Sequence, residues 1–157
     1  METIVRVQVE LPADIELLAE AADAEGVPNM RKLISAWRSG EQRFDRNGAA
    51  LFAAYAARGL AGVGGAKPEV NLVEPAMRMH RFFVHPSCRR LGIGRRLAQA
   101  VMTHALSRVE VLTCHARASS AAAPFWESLG FLAVNHPHFT HLFRPRARPA
   151  TGAAVSR

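Results

Sequence analysis

Cysteine is scarce in this sequence, and no long apolar run occurs in it. Cys88 and Cys114 are too few for a disulfide framework and are compatible with a reducing compartment. No stretch approaches the roughly 18 consecutive apolar residues that a membrane-spanning helix needs. The first residues carry acids and lack an apolar leader followed by a cleavage site. We therefore expect a cytoplasmic protein that has no membrane partner.

Negative charge is in the minority. The 157 residues include 20 Lys and Arg against 13 Asp and Glu, a formal net charge of +7. Such a balance suits nucleic acid or a smaller anion. Basic positions are not interleaved with aromatic residues as in RNA-binding sheets. Four arginines instead crowd into one short segment, as Arg89, Arg90, Arg95 and Arg96. One compact polyphosphate therefore fits better than a long duplex, and we expect no nucleic-acid partner.

Hydrophobic periodicity predicts a chain that mixes strands and helices. Residues 49–57 and 60–66 indicate a hairpin around Arg58-Gly59; their alanines would also suit a helix, but the turn and the glycines favour strands. The other predicted elements are a strand over 3–9, helices over 12–25 and 30–37, a strand over 77–84, a helix over 91–108, a strand over 109–116, a helix over 119–129 capped by Ser119, and strands over 131–134 and 138–143.

This order of elements predicts a mixed α/β sheet with helices on its faces. Hydrophobic residues make up 49% of the chain and charged residues 21%, which is typical of a globular protein. We found no internal repeat and no second core, so residues 1–144 are expected to form a single domain. Residues 145–157 have no apolar period, and we expect them to be a flexible basic tail.

The segment from Arg78 to Leu97 carries the clearest functional signal. A predicted strand ends, a basic loop follows, and Gly92 and Gly94 precede a helix. The first turn of a helix has unpaired backbone N–H groups and a partial positive charge, so it can bind phosphate. A solvated arginine face is the alternative. The dinucleotide fingerprint is excluded because Leu97 stands where it needs glycine, and a Walker motif is absent.

Three motifs resemble the GNAT family of acetyltransferases. The run Arg89-Arg90-Leu91-Gly92-Ile93-Gly94 matches the family pattern R/Q-x-x-G-x-G/A, and 82–86 (FFVHP) resembles its strand ending in V-x-P. Residues 122–131 (AAPFWESLGF) resemble the motif A-x-x-F-Y-E-x-L-G-F, and the predicted hairpin resembles the second and third strands of the family. The resemblance covers residues 49–143. It implies the GNAT fold, a mixed and mostly antiparallel sheet of six to seven strands flanked by about four helices.

The resemblance also implies an enzyme that uses acetyl-CoA as co-substrate. The diphosphate would rest on the backbone of Arg89, Arg90, Leu91, Gly92, Ile93, Gly94 and Arg95. The pantetheine arm would pair with main-chain groups of Phe82, Phe83 and Val84. Ser119 replaces the asparagine that often binds pantetheine in the family, and Phe125 and Trp126 would contact the cofactor. An amine would attack the thioester directly, so Cys88 has no required role.

Catalytic residues are less well defined by the resemblance. His80, on the strand that leads to the thioester, is the first candidate for the general base, with an ordinary strand residue as the alternative. Glu74, before that strand, is the second candidate. Arg78 stands where some relatives carry a strand glutamate, so that version is not expected, and a water chain to a distant carboxylate would also suffice. Trp126 replaces the tyrosine that serves as general acid, and an indole N–H is not a practical acid. Water or another group, such as Tyr55 or a histidine, would then protonate the thiolate, or the mechanism would depend less on an acid. Alternatively, Trp126 would simply pack against the cofactor.

The acceptor is an unidentified small-molecule or protein amine, and other functions stay open. A catalytically weak module that binds acyl-CoA is one alternative, and a family member acting on aminoacyl-tRNA is another. Acids on the first predicted helix, Glu16, Glu20, Asp23 and Glu25, would suit a cationic acceptor, or would form a solvated face. His136, His138 and His141 lack paired Cys or carboxylate partners, so we expect no metal site. A homodimer is possible, as is common in the family.

Overall fold

A computed structural model describes residues 2–145, so the predicted tail lies outside the described residues from position 146 onward. Seven strands and four α-helices make up this part of the chain, together with a 3-10 turn at Pro86–Cys88. Their bounds are β1 Thr3–Val7, α1 Ile15–Ala24, α2 Asn29–Ser39, β2 Ala50–Ala56, β3 Gly59–Pro68, β4 Ala76–Val84, α3 Ile93–Leu106, β5 Val111–Cys114, α4 Ala122–Ser128, β6 Leu132–Ala133 and β7 His141–Phe143.

One mixed sheet runs in the order β1-β2-β3-β4-β5-β7-β6. All neighbouring strands of this described sheet are antiparallel except β4 and β5, which are parallel. The predicted GNAT-type sheet, with its strand number and four flanking helices, is therefore confirmed. The alanine-rich segment 49–57 is a strand, as expected, because its small residues sit in the middle of a sheet that is covered on both faces.

Helices cover the two faces of the sheet. Strand β2 shows the division, because Leu51 and Ala53 join the core beneath α1 and α2, whereas Phe52 and Ala54 pack towards α3. This alternation follows from the two-residue period of a strand. Among residues 2–145, no helix is both long and apolar enough to span a membrane.

Three predicted element bounds were wrong near the end of the sheet. The predicted strand 109–116 is shorter, and only residues 141–143 of the predicted strand 138–143 pair with a neighbour. Thr140 leaves the ladder because its hydroxyl and amide groups bond to the end of β5 instead. Ser119 does not cap α4; the helix begins after Ala121, without a side-chain capping bond.

Strands β4 and β5 separate after three residue pairs. Ala76 pairs with Val111 and Arg78 pairs with Thr113, but no pair follows, although β4 continues to Val84. A bulge lies in the same stretch of β4: Arg81 has φ +61°, and three residue steps of β4 from His80 to Phe83 match two steps of β3. A bulge bends a strand and increases its twist. The result is an open edge of β4 over residues 79–84 on the side of β5.

Candidate functional site

The open edge of β4 presents main-chain groups that no neighbouring strand takes. The His85 amide donates to the Ala61 carbonyl at 2.7 Å, so it points towards β3. Alternation along the strand then directs the groups of Phe82 and Val84 away from β3, into the gap. The carbonyl of Phe82 accepts from Asn29 Nδ2 at 3.2 Å, and that of Val84 accepts from Arg89 Nε at 3.0 Å. An extended ligand that carries amides can pair with such an edge as an added strand.

Helix α3 begins beside the end of this edge. Gly92 precedes its first residue with φ +79°, and no side chain caps the first turn. A β-carbon at Gly94 would lie 3.4 Å from Val84 Cγ2 and 3.6 Å from Phe125 Cε1, so the turn packs closely against β4 and α4. The uncapped N–H groups of such a turn are a favourable site for phosphate. The structure thus brings the predicted loop 89–95 and the strand residues 82–84 together.

Two of the four clustered arginines are neutralised by the protein itself. Arg89 binds both oxygens of Glu25, at 2.7 and 2.6 Å, and lies over the Phe83 ring at 5.2 Å. Arg96 forms an ion pair with Glu2 and also bonds to the Leu91 carbonyl. Within residues 2–145, no carboxylate reaches the guanidinium of Arg90 or Arg95. The four arginines therefore do not all offer a free positive charge to an anion, because Glu25 and Glu2 neutralise Arg89 and Arg96. These two ion pairs also tie the loop to the N-terminal part of the chain.

Aromatic rings form one wall of the gap. The Phe82 ring lies across Gly64 of β3, where a β-carbon would come within 2.3 Å of it. Trp126 packs edge-on against Phe82, Phe125 and Phe131, with ring centroids 4.9, 5.1 and 5.2 Å away. The Trp126 side chain is buried in this cluster. Of the two roles that the sequence left open for Trp126, the packing role matches this position.

A hydrogen-bonded network fastens α4 to the sheet. His141 Nε2 lies 2.8 Å from Glu127 Oε2, and its Nδ1 lies 2.8 Å from Thr140 Oγ1. The same hydroxyl accepts from the Ala116 amide at 2.8 Å. His141 is buried, so its role is to hold α4 against the sheet.

His80 lies on the opposite face of the sheet, in a cavity of about 200 Å³ under α2. Its ring centroid is 6.2 Å from that of Phe44. Burial, followed by the charges of Lys67, Arg81 and Arg78, lowers the pKa of His80 to about 2. The imidazole is therefore neutral at physiological pH and has a free lone pair, but it binds a proton weakly.

Two further candidate residues, Glu74 and Ser119, lie in loops next to the sheet. Glu74 is in the loop before β4, at the opposite end of the strand from Val84, and Arg144 binds both its oxygens, at 3.0 and 2.6 Å. These hydrogen bonds lower the pKa of Glu74. Ser119 is exposed in the loop between β5 and α4. Neither residue is brought near His80 by a contact in the structure.

Glu69 is a buried carboxylate beside the point where β4 and β5 separate, and it was not among the residues predicted from the sequence. Its oxygens accept from Arg78 Nε at 2.7 Å, from the Thr113 hydroxyl at 2.6 Å and from the Asn71 side chain at 2.8 Å. Burial alone would raise its pKa, but these hydrogen bonds outweigh burial and lower the pKa to about 2. The only signal in the sequence was an acid directly after the hairpin strand, two residues beyond Lys67.

Within residues 2–145, no three His, Cys, Asp or Glu side chains converge as metal ligands would. The His136 ring stacks on the Phe139 ring, with 3.9 Å between their centroids, and the His138 ring lies 5.8 Å from that of His136. Cys114 is buried in the core, and burial raises the pKa of its thiol to about 12. This thiol is therefore protonated and unsuited to nucleophilic attack.

Solved structures share the fold over nearly the whole chain. A proposed acetyltransferase from Exiguobacterium sp. 255-15 has 26% identity and a TM-score of 0.79, covering 92% of this chain and 93% of that one. A GNAT-family acetyltransferase from Staphylococcus aureus Mu50 has 14% identity and a TM-score of 0.65, covering 92% and 99%. A proposed acyl-CoA N-acyltransferase from Klebsiella pneumoniae has 18% identity and a TM-score of 0.62, covering 92% and 97%. The last two show the fold alone.

A family model agrees with this geometry. The model described as "Acetyltransferase (GNAT) domain" matches residues 18–142, which include the open edge of β4, the glycine turn and α4. The comparison with curated proteins gave no match. Because this match spans most of the sequence, the chain belongs to the GNAT acetyltransferase family.

Proposed function

We propose that this protein transfers the acetyl group of acetyl-CoA to a primary amine by direct attack. The observation that carries the proposal is that β4 separates from β5 after Arg78 and that the Gly92-capped start of α3 packs against the end of the open edge, at Val84. The free amine would attack the thioester carbonyl, the C–N bond would form, and the C–S bond would break with its electron pair going to the CoA sulfur. The ammonium must lose one proton before the attack, and the nitrogen loses a second proton as the amide forms. The thiolate takes up one proton, so that one proton is released overall.

The residues present fit an acyl-CoA. The uncapped amides after Gly92, with Arg90 and Arg95 nearby, suit the diphosphate, because oriented N–H groups and guanidinium groups both favour negative charge. The groups of Phe82 and Val84 suit the amides of pantetheine. Ser119 and Phe125 flank the path towards α4. The bulge at Arg81 turns the following amide of Phe82 towards the gap, where it would polarise the thioester carbonyl as an oxyanion-hole donor does.

Proton transfer is expected to rely weakly on dedicated acids and bases. We assign His80 as the group that receives the proton from the acceptor, although its low pKa makes it a weak base. Glu74 is a poorer base because Arg144 already binds it. A thiol has a pKa near 8.5, so the departing thiolate can take its proton from water without an acid at the position of Trp126.

A binding module without transfer is the second candidate, and Trp126 at the position of the family tyrosine motivates it. Two assays separate the candidates. Calorimetry should show that acetyl-CoA binds and that acetyl-pantetheine, which lacks the diphosphate, binds at least tenfold more weakly. Release of free CoA thiol in the presence of primary amines should then exceed hydrolysis without amine. If acetyl-CoA does not bind, both candidates fail; if it binds and no amine accelerates thiol release, the protein is a binding module.

A further inference from the structure

The cavity under α2 has an excess of positive charge. Three cationic side chains line it: Lys32 from α2, Lys67 from β3 and Arg81 from β4. Glu41, in the loop after α2, is the one carboxylate among its lining residues. Lys67 and Arg81 are partly buried, so water screens their charges less than it screens an exposed side chain.

No protein carboxylate neutralises these cations within residues 2–145. In this described part of the chain, none of Lys32, Lys67 and Arg81 has an ion-pair partner. The neighbouring Arg78, by contrast, is bound by Glu69 at 2.7 Å. Burial lowers the pKa of both Lys67 and Arg81, as expected for cations held without a counter-ion. Partly buried cations that lack a partner are costly to keep, unless a ligand supplies the negative charge.

Three of the four acids that might have attracted a cationic acceptor are used elsewhere. Glu16 binds Arg31 and Arg38, and Asp23 also binds Arg31. Glu25 binds Arg89 at the start of the diphosphate loop. None of these carboxylates lines the cavity. These three carboxylates therefore hold parts of the fold together and do not reach the cavity.

The cavity also lies where an acceptor must approach. His80 and Arg81 line it, and they immediately precede Phe82, whose main chain faces the gap between β4 and β5. A ligand in the cavity therefore reaches the thioester from the face of the sheet opposite α3. At about 200 Å³ the cavity is smaller than the ~300 Å³ that is usual for larger ligands, so it suits a compact molecule.

We propose that the acceptor is a small primary amine that also carries an anionic group, a carboxylate or a phosphate, which Lys67 and Arg81 bind in this cavity. The inference rests on the proposed function and names its substrate class. A plain ammonium ion would meet net repulsion here, whereas the anionic group offsets it and anchors the molecule. The same cations favour loss of the ammonium proton, because positive surroundings lower the pKa of an amine. The anionic group in turn raises the pKa of His80 and makes it a better proton acceptor.

Matched amines test this assignment on protein that has been shown to bind acetyl-CoA. β-Alanine is compared with propylamine, and O-phosphoethanolamine with ethanolamine, in the thiol-release assay. At least one anionic member should exceed its neutral counterpart tenfold or more in kcat/KM, and the better of the two anions identifies carboxylate or phosphate. Lys67→Met and Arg81→Met should each abolish the preference while acetyl-CoA affinity stays within threefold. Arg46→Met, which removes an exposed arginine outside the cavity, is the control and should keep the preference.

A second readout does not depend on turnover. The imidazole resonance of His80, assigned by its loss in His80→Gln, should shift when the anionic amine is added to the protein saturated with CoA. The shift should be lost in Lys67→Met and retained in Arg46→Met. Equal rates and equal shifts for neutral and anionic amines, or no shift with any of them, would overturn the inference. Failure of acetyl-CoA to bind would instead remove the proposed function.

Discussion

Asn29, the first residue of α2, donates a hydrogen bond to the main-chain carbonyl of Phe82 across 3.2 Å. This bond joins the helix that covers the cationic cavity to the open edge of β4. It orients a peptide group that we expect to pair with pantetheine. This hydrogen bond therefore connects the acceptor side of the sheet to the cofactor side, and its donor, Asn29, lies in the N-terminal third of the chain.

Asn29→Ala should weaken cofactor use more than it weakens the fold. A single hydrogen bond contributes about 0.5–1.5 kcal/mol, so kcat/KM for acetyl-CoA should fall roughly two- to tenfold. Steady-state kinetics and urea unfolding measure the two effects. Gln99→Ala, on the exposed face of α3, is the matched control. A drop in kcat/KM that simply follows the loss of folded protein would mean that the bond is only structural.

Gly92→Ala should impair acetyl-CoA binding at the start of α3. Gly92 has φ +79°, where a side chain is strained, so the substitution should cost about 1 kcal/mol of stability or displace the turn. Calorimetry should show a rise of tenfold or more in Kd. Gly40→Ala is the control, because Gly40 also has a positive φ, +80°, but lies at the end of α2, outside the diphosphate loop. If both variants bind equally well, the conformation of the turn does not matter for the cofactor.

How far the sequence predicted the site depends on the range of each interaction. The glycine turn and the strand before it were predictable, because Gly92, Gly94 and the apolar run 82–84 encode a local geometry. The contacts Glu25–Arg89, Glu69–Arg78 and Asn29–Phe82 were not, because they join residues brought together only by the sheet order. For the same reason four neighbouring arginines looked equivalent, although Glu25 and Glu2 neutralise two of them.

Glu69 makes the stability depend on acid pH. Its pKa is lowered from 4.5 to about 2 in the folded state. The unfolded chain therefore binds a proton first as the pH falls, and the stabilisation is lost between about pH 4.5 and 2. The lowered pKa corresponds to about 3 kcal/mol, which Glu69→Gln should remove at pH 7. Thermal and urea unfolding should show the two proteins converging below pH 4.5, while Glu20→Gln, at an exposed position, follows the wild type. A constant difference across this range would rule out the assigned pKa.

His80 contributes a pH dependence in a higher range. Its pKa lies at about 2 in the folded protein against about 6.5 when unfolded. Below pH 6.5 the unfolded state takes up the proton, so wild-type stability falls with pH, by about 2 kcal/mol at pH 5. His80→Gln should be insensitive to this effect. The imidazole resonance of His80 should not titrate between pH 5 and 8, as judged by NMR; titration near pH 6.5 would place the ring in solvent.

The most direct measurement is a crystal structure of the protein with acetyl-CoA. We expect the diphosphate over the amides that follow Gly92 and the pantetheine arm along Phe82 to Val84, between β4 and β5. We also expect the acetyl group to face His80 and Arg81 through the gap. A cofactor bound anywhere else, or density that leaves the gap and the start of α3 without it at saturating acetyl-CoA, would overturn the proposed binding mode.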